Sequence, residues 1–216
     1  MGNIQIPQLV FLMEGLKWTV ILTLVSFVGG GVFGLLVALA RTSDIKALRV
    51  ATAAYIAIFQ GTPLLMQLFV VYYGVGLLEI NVDPWMAVAA AYTAHASAFL
   101  GEIWRGSIQA LPKGQSEAAS ALGLHYYSRM RDVILPQALK ISTPATIGFL
   151  VQLLKGTSLA SIVGFVELSR AGNVISNQIF EPLPVYGLVG LIYFIICWPL
   201  SIFGSRLETR LAIGLR

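Results

Sequence analysis

Residues 16–40 read LKWTVILTLVSFVGGGVFGLLVALA, with Lys17 the single charge. A bilayer-spanning helix needs about 20 mainly apolar residues at about 1.5 Å each, so this run predicts a helix through a membrane. It lacks the basic leader and short apolar core of a cleaved signal and is expected to remain in the chain. Four further runs follow: Val50 to Leu78, Trp85 to Ile103, Ala145 to Val166 and Pro184 to Phe203. The second is over-long for a hydrocarbon core of about 30 Å unless it tilts or breaks, and Gly61 and Pro63 supply a place to break. The expectation is an all-α fold, an integral membrane bundle of five transmembrane helices forming a single domain over residues 1–216.

Composition agrees. Of the 216 residues, 57% are hydrophobic and 11% are charged, whereas soluble domains carry about 25% charged residues. The net charge of +4 is not gathered into a basic run with interleaved aromatics, so nucleic acid is excluded as a partner. Cys197 is the only cysteine, which leaves no intrachain disulfide and no metal site built from cysteine spacing.

The cations are distributed unevenly, and cytoplasmic loops retain Lys and Arg. Arg41, Lys46 and Arg49 follow the first run; Arg105, Lys113, Arg129, Arg131 and Lys140 follow the third; Arg206, Arg210 and Arg216 lie in the tail. The short segment from Glu79 to Pro84 has none. This pattern places the N-terminus outside and the C-terminus in the cytoplasm, with residues 104–144 as a long cytoplasmic loop. Loops of that length are usually functional.

Within that loop, residues 114–123 read GQSEAASALG. They predict a short helix capped by Ser116 or a neighbour and stopped by Gly123 in the left-handed region. A second short helix, about Tyr126 to Ile134, is expected to end before Pro136, because the residue preceding proline avoids helical geometry. Two short helices at a turn make a protruding knob whose small apolar side chains suit a groove on another protein; a helix lying on the membrane surface is the other reading.

Glu117-Ala118-Ala119, three residues, Gly123, nine residues, then Val133-Ile134-Leu135-Pro136 resembles the EAA loop of ABC importer permeases, with Val133 where that pattern usually has Ile. Residues 59–68 (FQGTPLLMQL) and 155–161 (KGTSLAS) resemble segments of the polar amino acid uptake branch, the histidine/glutamine/arginine permease type. The resemblance covers about residues 10 to 210. It implies a permease subunit of an ATP-binding-cassette importer that moves polar amino acids across a bacterial inner membrane by alternating access. The loop is then a coupling helix fitted to a cytoplasmic ATPase dimer, with Gln115, Glu117, Ala118, Ala119, Gly123, Leu135 and Pro136 as its contact residues. The other implied partners are a second permease subunit, identical or homologous, an extracytoplasmic amino-acid-binding protein and membrane lipid. The chain contains no G-x-x-x-x-G-K-[ST] and so has no P-loop of its own; the resemblance implies no cofactor in this chain, with ATP and Mg bound by the partner ATPase.

Ionisable groups deep in a membrane helix are functional candidates by default. Lys155 falls near the middle of the fourth run and either meets a substrate carboxylate or forms a structural ion pair. Gln60, Gly61, Thr62, Pro63 and Gln67 share that depth, and broken helices at the midplane build transporter substrate sites; the alternative is a packing kink with Thr62 bonded to its own backbone. Thr157 and Ser158 supply neutral hydrogen bonds or act as interhelical glue. Glu102 and Arg105 are three apart on one helical face, which favours a local ion pair over a substrate role. His95 reads as a neutral imidazole bonded to a neighbouring helix, and the Gly30–Gly34 spacing reads as close packing within the subunit. Relatives often have Arg where Gln60 stands and Asp where Gly156 stands, which fits pairing with a non-identical permease that supplies those charges. Two other classes can be drawn. One is an intramembrane serine hydrolase with Ser158 as nucleophile and His95 as base; the other is a passive channel or scaffold. The channel or scaffold leaves the docking loop without a task.

Overall fold

A computed structural model describes residues 4–77 and 83–213. Leu78, most of the expected outer segment from Glu79 to Pro84, and Arg216 lie outside them. Helix α1 runs Ile6–Thr42, α2 Lys46–Gly61, α3 Leu64–Leu77 and α4 Pro84–Ala110. Then come the short α5, Lys113–Ala121, and α6, Tyr126–Arg129. Helices α7, Leu135–Gly156, α8, Leu168–Ile179, and α9, Pro182–Ile213, complete the chain. All regular structure among the described residues is helical.

Helix α1, the continuous run Tyr126–Val163 and the run Pro182–Leu211 are long and apolar enough to cross a membrane, and the pair α2 and α3 adds a fourth crossing if counted as one broken span. The two halves of that pair meet at 105°. Thr62 between them is extended, with φ −121° and ψ 145°, as a residue before proline must be, and Pro63 brings no N–H to continue the ladder. Helix α4 has the length to cross at 27 residues but not the apolarity, because it carries Tyr92, His95 and Ser97. Those three are buried among α1, α2, α3 and α7, against which α4 packs. A helix enclosed by protein does not need a lipid-soluble surface.

The α1–α4 seam is the most extensive contact in the bundle, and glycine makes it possible. A Cβ on Gly30 would overlap that of Ala96 and lie 3.1 Å from the backbone of Ala96 and Ser97. One on Gly34 would lie 3.1 Å from Gly101 N and Ser97 O. The Gly30–Gly34 spacing therefore serves packing inside the subunit. Around the seam Leu22, Leu68, Tyr92, Phe149 and Leu153 form the main core, and Leu12, Leu168, Ile175 and Val185 form a second one between α1, α8 and α9.

Four expectations need correction. The helix beginning at Tyr126 does not stop before Pro136. It passes through a π-helical turn at Met130–Ile134 into α7, and the wider turn makes room for the Pro136 ring, which would collide with a carbonyl in a regular α-helix. The fourth span begins not at Ala145 but at Leu135, runs through Pro144, and tightens after Gly156 into a 3₁₀ segment, Thr157–Val163. Ser116 does not cap α5, whose N-cap is Pro112 without a side-chain bond. The expected loop over 104–144 is entered from both ends by helix, leaving residues 111–134 between α4 and α7.

Candidate functional site

Pro63 and the end of α2 leave carbonyls without helical partners, and Gln67 takes them up. Its Nε2 donates to Phe59 O at 2.7 Å and to Thr62 O and Oγ1, both at 3.0 Å. Its Oε1 faces His95 Nδ1 at 2.9 Å. His95 in turn stacks on Phe99 and Phe149, ring centroids 4.5 and 6.3 Å away. Thr62 Oγ1 donates to Ile58 O at 2.7 Å. Gln67 and Thr62 are thus a clamp across the break, bonded to backbone, to each other and, through Gln67, to His95, while Gln60 and Pro63 are exposed beside it. The His95 expectation of one bond to a neighbouring helix is met by Gln67 of α3.

Lys155 lies in the last turn of α7, just before the chain tightens into the 3₁₀ segment. It lines a cavity of 310 Å³ with Ser158, Ser169, Tyr186, Val189, Gly190 and Tyr193. Ser158 Oγ donates to Lys155 O at 2.8 Å and Thr157 Oγ1 to Leu154 O at 2.6 Å. With Ser158 bonded to its own helix and His95 committed to Gln67, the nucleophile–base pairing of a serine hydrolase is not formed. Glu102 pairs with Arg105 through two bonds of 2.7 and 2.5 Å, the local ion pair read from their spacing.

Sequence reading missed Glu167. It is fully buried and caps α8, accepting from Ser169 N at 2.9 Å and Arg170 N at 2.8 Å. Tyr193 Oη also donates to it at 2.9 Å, and Thr19 Oγ1 lies 3.5 Å away. A single carboxylate therefore joins α1, α8 and α9 behind the Lys155 cavity. The signal was a Glu directly before a Leu-Ser-Arg-Ala-Gly helix start, an acidic N-cap.

The remaining candidates form an elbow. Gly123 adopts φ 79°, and the turn is closed by Gly123 N to Ser120 O at 3.0 Å and Leu124 N to Ala119 O at 3.1 Å, the bonding of a glycine-stopped helix. Ala119 turns inward, whereas Gln115, Glu117, Ala118 and Pro136 are exposed and Leu135 is half-buried. Leu122 is 82% exposed. Gln137 Nε2 reaches back to Gln115 Oε1 at 3.2 Å, bracing α5 against the start of α7. An apolar tip on a rigid, braced turn is a shape for inserting into a partner.

Residues 19–214 match the family model described as binding-protein-dependent transport system inner membrane component. The chain belongs to this family. The permease is 33% identical to the arginine transport system permease protein ArtQ of Bacillus subtilis, covering 95% of this chain and 94% of that one. It is 36% identical to the L-cystine transport system permease protein TcyB of the same organism, over 91% and 85% of the two chains. With the glutamine transport system permease protein GlnP of Escherichia coli it shares 32% identity over 96% and 95%. A crystal structure of an amino acid ABC transporter with histidines superposes with a TM-score of 0.85 at 32% identity, covering 97% of the permease and 100% of that chain. An inward-facing structure of the MetNI methionine ABC transporter shares the fold, with a TM-score of 0.77 at 22% identity over 95% and 98%.

Proposed function

We propose that this permease is one half of the pore of an ATP-driven importer of polar amino acids in a bacterial inner membrane. It works by alternating access with five crossings per subunit, its N-terminus outside and its elbow and C-terminus in the cytoplasm. The observation that carries the reading is the elbow: a glycine-locked turn, braced by Gln115 and Gln137, presenting Glu117, Ala118 and Leu122 at its tip. The ATPase dimer grips one elbow from each of two permease subunits, and an extracytoplasmic binding protein delivers substrate on the opposite face. The family match, and relatives named for arginine, cystine and glutamine transport, support the substrate class.

The substrates of those relatives share an α-carboxylate, and Lys155 is the cation placed to receive one. Its cavity is at the lower end of the roughly 300–1,000 Å³ range of ligand pockets, and Ser158, Ser169 and Tyr186 line it with hydroxyls. The exposed break at Gln60–Pro63 forms another part of the path. The test is a complete complex in proteoliposomes, screened for ATPase stimulation by each amino acid with its binding protein. At least one polar amino acid is expected to stimulate, and none doing so contradicts the reading. Hydrogen bonds to charged groups contribute about 1.5–3 kcal/mol. On the stimulating amino acid, Lys155→Met is therefore expected to raise the half-maximal substrate concentration by about tenfold or more. An unchanged value removes Lys155 from the substrate path.

A further inference from the structure

Two cavities are each lined in part by α1, α2 and α4. The first, of 680 Å³, lies between the α1–α2 turn and the elbow, and four cations line it, Arg41, Arg49, Lys113 and Arg129, against Asp44 as the one acid. Their hydrogen bonds go to neutral acceptors, Arg41 Nη1 to Arg49 O at 3.5 Å, Arg49 Nη1 to Ser43 O at 3.0 Å and Arg129 Nη1 to Ser120 Oγ at 2.7 Å, while Glu102, already paired with Arg105, is within electrostatic reach of Arg41. Arg41 Nε is buried with no hydrogen-bond partner among the described residues. The second cavity, of 670 Å³, is an apolar groove between α1, α2 and α4 lined by Phe33, Leu36, Val37, Ala51, Tyr55 and Ala90, among others. Three hydroxyls of its wall are already bonded to backbone, Tyr55 Oη to Ala94 O at 2.8 Å, Thr52 Oγ1 to Leu48 O at 2.6 Å and Ser97 Oγ to Ala94 O at 2.8 Å.

Helical register joins the two. On α1, Arg41 follows Val37 by four residues; on α2, Arg49 precedes Thr52 by three; on α4, Ile108 follows Ser97 by eleven, or about three turns. Each helix thus carries its groove residues and its basic-cavity residues on one face, the basic cavity about one turn farther along α1 and α2. A charged pocket and an apolar trough lined by the same three helices match a molecule with a negative head and a hydrocarbon tail.

We propose that the two cavities are one binding site for an anionic phospholipid, its phosphate held among Arg41, Arg49, Lys113 and Arg129 and an acyl chain lying in the groove between α1, α2 and α4. The site rests on the reading above that the elbow end faces the cytoplasmic leaflet. Arg41 and Arg49 belong to the α1–α2 turn, while Lys113 and Arg129 belong to the two arms of the elbow. The lipid therefore ties the elbow to the membrane and sets its posture toward the ATPase. A free phosphate would use the basic cavity alone and leave the groove empty. A zwitterionic lipid would fill the groove without balancing the cations.

The experiment is native mass spectrometry of the delipidated complete complex titrated with phosphatidylglycerol, phosphatidylcholine or glycerol phosphate. One phosphatidylglycerol per permease chain is expected to be retained at least tenfold more tightly than phosphatidylcholine, with glycerol phosphate failing to displace it at equal concentration. Basic side chains near an anionic lipid surface contribute about fivefold each, so Arg49→Gln is expected to weaken retention by about that factor. Arg129→Gln, on a different element, reads the same effect should the first variant not assemble. Ala51→Trp, which fills the groove, is expected to release phosphatidylglycerol. Equal retention of the two lipids, displacement by glycerol phosphate, or Arg variants that retain phosphatidylglycerol as the parent does would each overturn the site. The readout needs neither transport nor ATP turnover, so a complex that binds the lipid but responds to no amino acid would refute the proposed substrate class and leave the lipid site standing.

Discussion

Gly123→Val is expected to cut ATP-driven uptake at least tenfold while the bundle still inserts and assembles. Gly123 holds φ 79°, a region in which a β-branched residue is a backbone outlier. A Cβ there would meet nothing within 4 Å, so the whole penalty is conformational and no core contact is disturbed. The strain is relieved by opening the two bonds that close the turn, and doing so swings α5 away from α6 and from Gln137. Glu117→Lys tests the same surface by charge reversal at an exposed position and should uncouple without touching the turn. Uptake into proteoliposomes, measured beside membrane yield, checks both. Unchanged uptake in either variant counts against the elbow as the point of grip.

Gly30→Leu is expected to abolish the folded permease altogether. The added side chain would have to occupy the space of Ala96 and press on the backbone of α4, which cannot yield as a flexible side chain does. Inserting extra methylenes into a packed core costs about 1–3 kcal/mol where side chains can shift, and a clash with backbone exceeds that. Close approach of small residues is also the main source of helix association in lipid, where no hydrophobic effect drives helices together. The control is Gly31→Ala, whose Cβ would sit 3.5 Å from Trp104 in ordinary contact. Monodisperse yield in detergent and the thermal midpoint should fall sharply for the first and stay near the parent for the second. Equal behaviour of the two would mean that the α1–α4 seam does not hold the subunit together.

Several local features were legible because their causes are local. Apolar length marked α1 and α9, Gly61 and Pro63 marked the break, Gly123 marked the left-handed stop, and three-residue spacing marked the Glu102–Arg105 pair. What escaped depended on neighbours distant in the chain. The rule that a helix ends before proline fails at Pro136 because a π-turn, held by the buried Met130 and Ile134, absorbs the ring. Helix α8 is only 12 residues long and reads as a polar outer loop. Its apolar stripe of Leu168, Ala171 and Ile175 shows at helical spacing once α1 and α9 are there to cover it. The depth and polarity of Gln67 are visible in a sequence, whereas the open carbonyls of Phe59 and Thr62 that it takes up are not. Glu167 stands one residue beyond a predicted span, and its partners Thr19 and Tyr193 are distant in the chain.

Sidedness of the elbow is the point on which coupling to a cytoplasmic motor depends. Cys197, the only cysteine, is buried, so a Cys197→Ala background with Leu122→Cys places one thiol at the exposed tip of the elbow. In cells that make the permease without its ATPase, a membrane-impermeant maleimide is expected to leave this thiol unlabelled while the cells are intact and to label it fully in inside-out vesicles. Labelling from outside intact cells would contradict the account.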